Sequence, residues 1–123
     1  MGSIRNYIKE FKELCLNKPA SNTVCFSDGS TAKFSVGMVY FTDSEEVIGK
    51  YRKVSESPDN YVVECNGERI GTLVLEGRTC RIIGCGKLTY TARRNMIRDM
   101  DGTVIAWYNG DAVGAAAAFL CLK

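Results

Sequence analysis

The stretch DAVGAAAAFLCLK, from Asp111 to Lys123, decides the fold. Four consecutive alanines favour a helix, and the carboxylate of Asp111 stands where it can cap the first turn. A helix over residues 110–123 is apolar on every face, so it must be buried almost completely. It therefore either fills the interior of a sheet or forms an interface between copies of the chain. A final buried strand is the alternative.

The chain before this stretch alternates in the manner of β-strands. Residues 22–109 contain eight runs rich in β-branched and aromatic residues, separated by turn signals such as Asn66-Gly67 and Asp101-Gly102. Asn-Gly and Asp-Gly between such runs favour tight hairpins. We therefore expect a strongly curved antiparallel sheet of about 7–8 strands, which closes into a barrel or folds over as a sandwich.

The first part of the chain has the spacing of an amphipathic helix. Apolar residues recur at helical intervals from Ile4 to Cys15, with charged residues between them, and Pro19 follows. We expect this helix, residues 1–18, to pack on the sheet, although it could also bind a partner. The sequence thus predicts one α+β domain over residues 1–123, made of this helix, the antiparallel β meander and the buried apolar C-terminal helix.

The second half of the chain resembles a known family in its layout. The hairpin sequence IRDMDGTVIAWY, from Ile97 to Tyr108, carries an acidic Asp-x-Asp-Gly turn and is followed by the apolar tail. This order resembles the tubby/LURP-one-like β-barrels over roughly residues 61–123. The resemblance implies a closed barrel threaded by a hydrophobic helix, and some members of that family bind phosphoinositides. This chain is shorter than the family's usual domain and has the extra N-terminal helix, and no functional residue is transferred from the family to it.

Composition places the protein in the cytoplasm. The N-terminus lacks the uninterrupted apolar segment of a secretory leader, and the longest apolar run is only about half as long as a membrane span. In a reducing compartment we expect free thiols from the six cysteines, Cys15, Cys25, Cys65, Cys80, Cys85 and Cys121. With no histidine and no second close cysteine pair, a zinc site is disfavoured. We expect no metal and no other cofactor.

One motif suggests catalysis. The residues Asp99-Met100-Asp101-Gly102-Thr103 match the nucleophile motif of haloacid-dehalogenase-type phosphatases. In those enzymes a lysine and further acidic residues follow on strands far downstream, whereas here only 20 residues follow Thr103. The motif also lacks the later oxygen ligands of a calcium loop. We therefore interpret it as a hairpin turn.

Other catalytic arrangements are also disfavoured. Without histidine, Ser-His-Asp and Cys-His nucleophile systems are excluded. The run GCGK, Gly84 to Lys87, lacks the spacing of a phosphate-binding loop. The sequence therefore predicts a protein that is not an enzyme.

The strongest indication of a function is a cluster of basic residues. Residues 67–98 contain seven basic side chains and two acidic ones, and YTARRNMIR, Tyr90 to Arg98, combines an aromatic ring with three guanidinium groups. Arginine suits phosphate or carboxylate, and an aromatic ring can stack on a base. The predicted ligand-binding residues are Arg93, Arg94, Arg98, Tyr90, Arg81 and Lys87. A solvated face with arginine stems lying over the sheet is the alternative.

These observations lead to three functional hypotheses. The first is a non-catalytic binding protein for an anionic ligand, meaning a nucleotide-like molecule, a phosphorylated head group or nucleic acid. The second is a protein–protein interaction module, such as a small phage- or mobile-element-type inhibitor or accessory protein, that docks on an acidic protein surface. The third is a structural homo-oligomer that uses the alanine-rich C-terminus as its interface.

Overall fold

A computed structural model describes residues 19–42, 44–54, 57–84 and 89–122. These residues form a mainly β structure with ten strands and one helix. The strands are β1 (Thr23–Phe26), β2 (Thr31–Ser35), β3 (Met38–Phe41), β4 (Val47–Val54), β5 (Ser57–Cys65), β6 (Glu68–Glu76), β7 (Thr79–Gly84), β8 (Thr89–Arg93), β9 (Met96–Arg98) and β10 (Val104–Asn109), and the helix is α1 (Ala112–Leu122).

The ten strands form a closed antiparallel barrel. Each strand pairs with the next along the chain, and β10 pairs with β1 through partners such as Val24 and Tyr108. Closure leaves no unpaired strand edge, so every strand has neighbours on both sides. The expected curved antiparallel sheet is confirmed, and of the two expected forms it takes the barrel.

The expected number of strands was wrong, because two turns were not recognised, one inside a run that looked continuous and one directly after a run. Val36-Gly37 separates β2 from β3, and Arg94-Asn95 separates β8 from β9. All four residues have positive φ angles, with Val36 at 45° and Arg94 at 53°. Two positive φ angles in a row are typical of a type I′ hairpin turn, where Asn and Gly are usual. Neither valine nor arginine signals such a turn in a sequence.

Helix α1 lies inside the barrel. The side chain of Asp111 caps it, since its Oδ2 accepts a hydrogen bond of 3.0 Å from the Gly114 backbone N–H. The helix packs against strands from β1 round to β8 and against β10. Ala115, Ala116, Ala117 and Ala118 are fully buried. The buried apolar C-terminal helix is thus confirmed, and the barrel's own strands cover the alanines that could otherwise have formed a subunit interface.

The packing of α1 inside the barrel depends on small residues and on one aromatic cluster. A Cβ atom on Gly114 would collide with the ring of Phe34, so only glycine fits there. Near the other end of the helix the Phe119 ring stacks on Phe26, with centroids 5.3 Å apart, and meets Tyr90 edge-on at 4.8 Å. Such aromatic pairs contribute about 0.5–1.5 kcal/mol beyond the apolar area that they bury.

The expected N-terminal amphipathic helix, residues 1–18, lies outside the described residues. Within the described part of the chain, no helix has both the length and the apolar character needed to cross a membrane.

The barrel has two ends that differ in their connections. The end where α1 begins, here the entry end, carries the β2–β3, β4–β5, β6–β7 and β8–β9 connections together with Gly110 and Asp111. The opposite end, here the exit end, carries the β1–β2, β3–β4, β5–β6, β7–β8 and β9–β10 connections and the last turn of α1. In an antiparallel meander successive connections alternate between the ends, and this alternation determines where each turn residue lies.

Candidate anion-binding surface

Three of the predicted arginines share the outer wall of the barrel. Thr91 in β8 pairs with Arg81 in β7 and with Arg98 in β9, so the three side chains lie side by side on one face. Arg93 lies two residues further along β8 and points the same way. Arg94 occupies the adjoining turn at the entry end. The structure therefore brings Arg81, Arg93, Arg94 and Arg98 into one basic patch.

The aromatic member of the predicted site does not belong to this patch. Tyr90 is an odd number of residues from Arg93, so on a strand the two side chains point to opposite faces. The Tyr90 side chain lies in the barrel interior, only 6% exposed, with its ring against Phe119. The period-two alternation of β8 could have shown this from the sequence. Lys87 lies outside the described residues.

The side chains of the four arginines differ in their ion pairs and hydrogen bonds. Arg81 pairs with Glu76 at 3.0 Å, and Arg98 Nη1 donates a 3.1 Å hydrogen bond to the Gly102 carbonyl. Arg93 and Arg94 are exposed, and neither has an ion pair or side-chain hydrogen bond with any described residue. Their two positive charges are therefore available to an external anion.

Charge is distributed unequally between the ends. The charged residues in question lie in the described part of each connection or within two strand or helix residues of it. At the entry end these are the basic residues Lys53, Arg78, Arg93 and Arg94 and the acidic residues Glu76 and Asp111. At the exit end they are the basic residues Arg69 and Arg98 and the acidic residues Asp28, Glu45, Glu46, Glu64, Glu68, Asp99 and Asp101. Among these described residues the entry end is basic and the exit end acidic, a distribution that attracts an anion to the entry end.

Two of the exit-end carboxylates are bound into their own turns. Asp28 Oδ1 accepts hydrogen bonds from the Ser30 backbone N–H at 2.9 Å and from the Ser30 hydroxyl at 2.6 Å. These bonds lower the pKa of Asp28. Asp99 Oδ1 accepts from the backbone N–H groups of Asp101 at 2.9 Å and Thr103 at 3.0 Å. The residues from Asp99 to Thr103 therefore form the connection between β9 and β10, with the Asp99 carboxylate bonded to the backbone of that connection.

A cavity opens at the entry end beside the first turn of α1. It has a volume of about 470 Å³. We call it the entry cup and define it by six of its lining residues, Phe34, Tyr51, Arg52, Lys53, Tyr61 and Asp111. Tyr51 and Lys53 alternate with Arg52 along β4, so Tyr51 and Lys53 share the inner face. Pairing between β4 and β5 sets Lys53 opposite Tyr61.

The cup combines aromatic walls with groups of both charges. Burial raises the pKa of Tyr51, and the nearby Asp111 and Tyr61 add to the rise, so its hydroxyl remains a hydrogen-bond donor at neutral pH. Arg52 lies at the rim, and its ion pair with Glu64 is long, at 3.8 Å, and exposed. Such a pair contributes only about 0–1 kcal/mol, so the guanidinium can turn to a ligand at little cost.

The entry cup is not apparent in the sequence. Its only local signal is the alternation in KYRKV, from Lys50 to Val54, which sets an aromatic and a cationic side chain on one face of a strand. The other wall residues come from β2, β5 and the start of α1, and their proximity depends on the pairing of the whole barrel.

Two of the described cysteines, Cys80 and Cys121, are unreactive at neutral pH. Burial raises the pKa of the Cys80 thiol to about 12, with Asp111 adding to the rise. Burial likewise raises the pKa of Cys121 to about 12, with Cys65 contributing. These thiols stay protonated and are poor nucleophiles. Among the residues that the structure describes, no group of three or more cysteine, aspartate or glutamate side chains is arranged to hold a metal ion.

Comparison of the chain with protein-family models, with curated proteins and with solved structures gives no match.

Proposed function

We propose that the protein is a non-catalytic binding module for an anionic partner, which it contacts with its entry end. Arg93 and Arg94 form the centre of this surface, and Arg78 and Lys53 extend it around the rim. Arg81 and Arg98 continue the positive charge down the outer wall. Arginine presents a planar set of donors that suits phosphate and carboxylate groups.

The observation that carries this proposal is the lack of a structural role for the entry-end cations. The Asp28 and Asp99 carboxylates at the exit end are bonded to their own turns, whereas the side chains of Arg93 and Arg94 make no ion pair or hydrogen bond with any described residue. Arg94 also occupies a backbone conformation, φ 53°, that disfavours its side chain. Such departures from local preference concentrate at functional sites.

An acidic protein surface is the second candidate partner, and Val36 favours it. This side chain is 94% exposed, and its φ of 45° is unusual for a β-branched residue. It lines the entry cup, together with the cationic residues Arg52 and Lys53. An exposed apolar tip beside a cavity with two cationic residues suits a partner with an apolar pocket and an acidic rim.

Fluorescence anisotropy with three labelled anions tests the proposal: an adenine nucleotide, a single-stranded oligonucleotide and a polyglutamate peptide. At low ionic strength we expect at least one of them to bind, and to bind more weakly as salt is added. Replacing both arginines, Arg93→Glu with Arg94→Glu, should weaken that binding by about tenfold or more, because attraction becomes repulsion. The probe that binds also decides between a nucleic-acid-like and a protein-like partner.

A matched control separates a local site from overall charge. The pair Lys50→Glu with Arg69→Glu makes the same change in net charge on the outer wall, away from Arg93 and Arg94. We expect this pair to change affinity by less than about twofold. The proposal is wrong if no probe binds, or if the two double variants lose affinity equally.

A further inference from the structure

We infer that the entry cup is a binding site for a nucleoside phosphate, with the base inside the cup and the phosphates at its rim. This inference rests on the proposed function, since it names the anion and the part of the entry end that selects it. It adds a site outside the basic patch, on the β2–β4–β5 side of the barrel mouth.

The size and position of the cup fit a small ligand. Sites for small molecules and cofactors have volumes of about 300–1,000 Å³ and recur in the mouths of β-barrels. The entry cup, at about 470 Å³, lies within this range. The inner end of the cup is tightly packed, because Gly114 of α1 packs against the Phe34 ring and lies close to the Tyr51 hydroxyl.

The aromatic residues suit the base. Tyr51 and Tyr61 come from neighbouring strands, and both side chains are half-buried on the inner face. A half-buried ring has one part packed on the protein and another open to a ligand. Stacking of a base on such a ring contributes about 1–3 kcal/mol and does not depend on which base is present.

The charged residues suit the sugar and the phosphates. Asp111 is exposed at the mouth, where its carboxylate can accept hydrogen bonds from ribose hydroxyls, as acidic residues do in dinucleotide-binding folds. Lys53 and Arg52 stand at the rim with exposed side chains and can hold phosphate oxygens. Asp111 repels a phosphate next to it, and this repulsion fixes the ligand's direction, with sugar toward α1 and phosphates toward β4.

The hydrogen bonds of α1 argue against a simpler anion site at the helix end. The Asp111 side chain already accepts from the Gly114 backbone N–H, so its negative charge occupies the place where a bare phosphate would bind. A phosphate alone therefore gains little in the cup. The base and the sugar are needed for tight binding.

Competition against a fluorescent ATP analogue, mant-ATP, tests the inference. We expect unlabelled ATP to displace the analogue at least about tenfold more effectively than tripolyphosphate, which has the phosphates without the base and sugar. Equal competition by tripolyphosphate would overturn the inference, because the cup would then not recognise the nucleoside. A short oligoriboadenylate, which keeps the ribose 2′-hydroxyls, would support the cup if it competed better than ATP, and would identify the nucleotide as part of an RNA strand.

Variants locate the site. Lys53→Glu should weaken ATP binding by about tenfold, and Tyr61→Ala by a similar factor, whereas the control Lys50→Glu on the outer face of the same strand should change it by less than about twofold. Because Tyr61→Ala could also loosen the barrel, amide chemical shifts of the unmodified protein give a second measurement. On addition of ATP, Gly37 and Asp111 should shift and the exit-end residue Gly67 should not. Unmoved Gly37 and Asp111 signals would overturn the inference.

The outcome also separates this inference from the proposed function. If the Arg93→Glu and Arg94→Glu pair abolishes ATP binding and Lys53→Glu leaves it unchanged, the anion binds at the arginine turn. The proposed function then stands and the cup inference is wrong. If no anion binds, both are wrong.

Discussion

The turns at the two ends of the barrel reverse the chain in the same way but use different residues. At the exit end, Asn66-Gly67 supplies the residues that a type I′ turn prefers, and Asp28 and Asp99 bond to the backbone of their own turns. At the entry end, two turns of the same kind contain Val36 and Arg94. Asp28 and Asp99 at the exit end thus have a structural role, whereas Val36 and Arg94 at the entry end have exposed side chains in an unfavourable backbone conformation, as the proposed binding role would require.

Removing an exit-end carboxylate should have the largest effect on stability. Asp99→Ala leaves two backbone N–H groups without their acceptor, so we expect the free energy of unfolding to fall by about 1–2 kcal/mol. Urea denaturation measures this change. Asp101→Ala is the control, because Asp101 is exposed in the same turn and its side chain bonds to no described residue. We expect that variant to change stability by less than about 0.5 kcal/mol. Equal losses in both variants would contradict the role given to Asp99.

Removing the unfavourable backbone conformation of an entry-end turn should change the free energy of unfolding less, and should increase it. Val36→Asn puts a residue that tolerates positive φ where a β-branched one now stands, so we expect a gain of about 1 kcal/mol in the free energy of unfolding. The reverse change at the exit end, Asn66→Val, should lose a similar amount. If Val36→Asn destabilised the protein, the Val36 side chain would have a folding role and the contrast between the ends would fail.

Lowering the pH should reduce the free energy of unfolding slightly, through the exit-end carboxylate of Asp28. Because hydrogen bonds from Ser30 lower the pKa of Asp28 below its usual value of 3.8, ionised Asp28 stabilises the fold above that pH. The contribution is lost as the pH falls through the lowered pKa. Asp28→Asn should therefore cost stability at about pH 6, and the cost should shrink toward about pH 3. A cost that does not change with pH would show that ionisation of Asp28 does not contribute.

Much of the fold follows from local sequence, and the exceptions have a physical cause. The alanine run and Asp111 predict a capped, buried helix, and Asn66-Gly67 predicts a hairpin, because both depend on residues adjacent in the chain. Val36 and Arg94 gave no warning of a turn, because neither residue type favours the positive φ angle that it has in the structure. Two strands were missed for this reason.

The candidate site, like the fold, could be predicted only where it depends on local sequence. The basic patch was predictable, since Arg81, Arg93 and Arg98 follow the alternation of their strands. The placement of Tyr90 inside the barrel was equally predictable from that alternation. The entry cup was not, because Tyr51, Tyr61 and Asp111 come together only when β4 pairs with β5 and α1 enters the barrel. A local pattern shows which face a side chain takes, whereas the closed barrel determines its neighbours.

The most direct test measures folding and binding on one variant. In the Arg93→Glu and Arg94→Glu double variant, urea denaturation and anisotropy with the best-binding anion report on the two properties separately. We predict a free energy of unfolding within about 0.5 kcal/mol of the unmodified protein and an affinity lower by about tenfold or more. Unchanged affinity, or a large loss of stability, would contradict the proposal that these arginines serve a partner and not the fold.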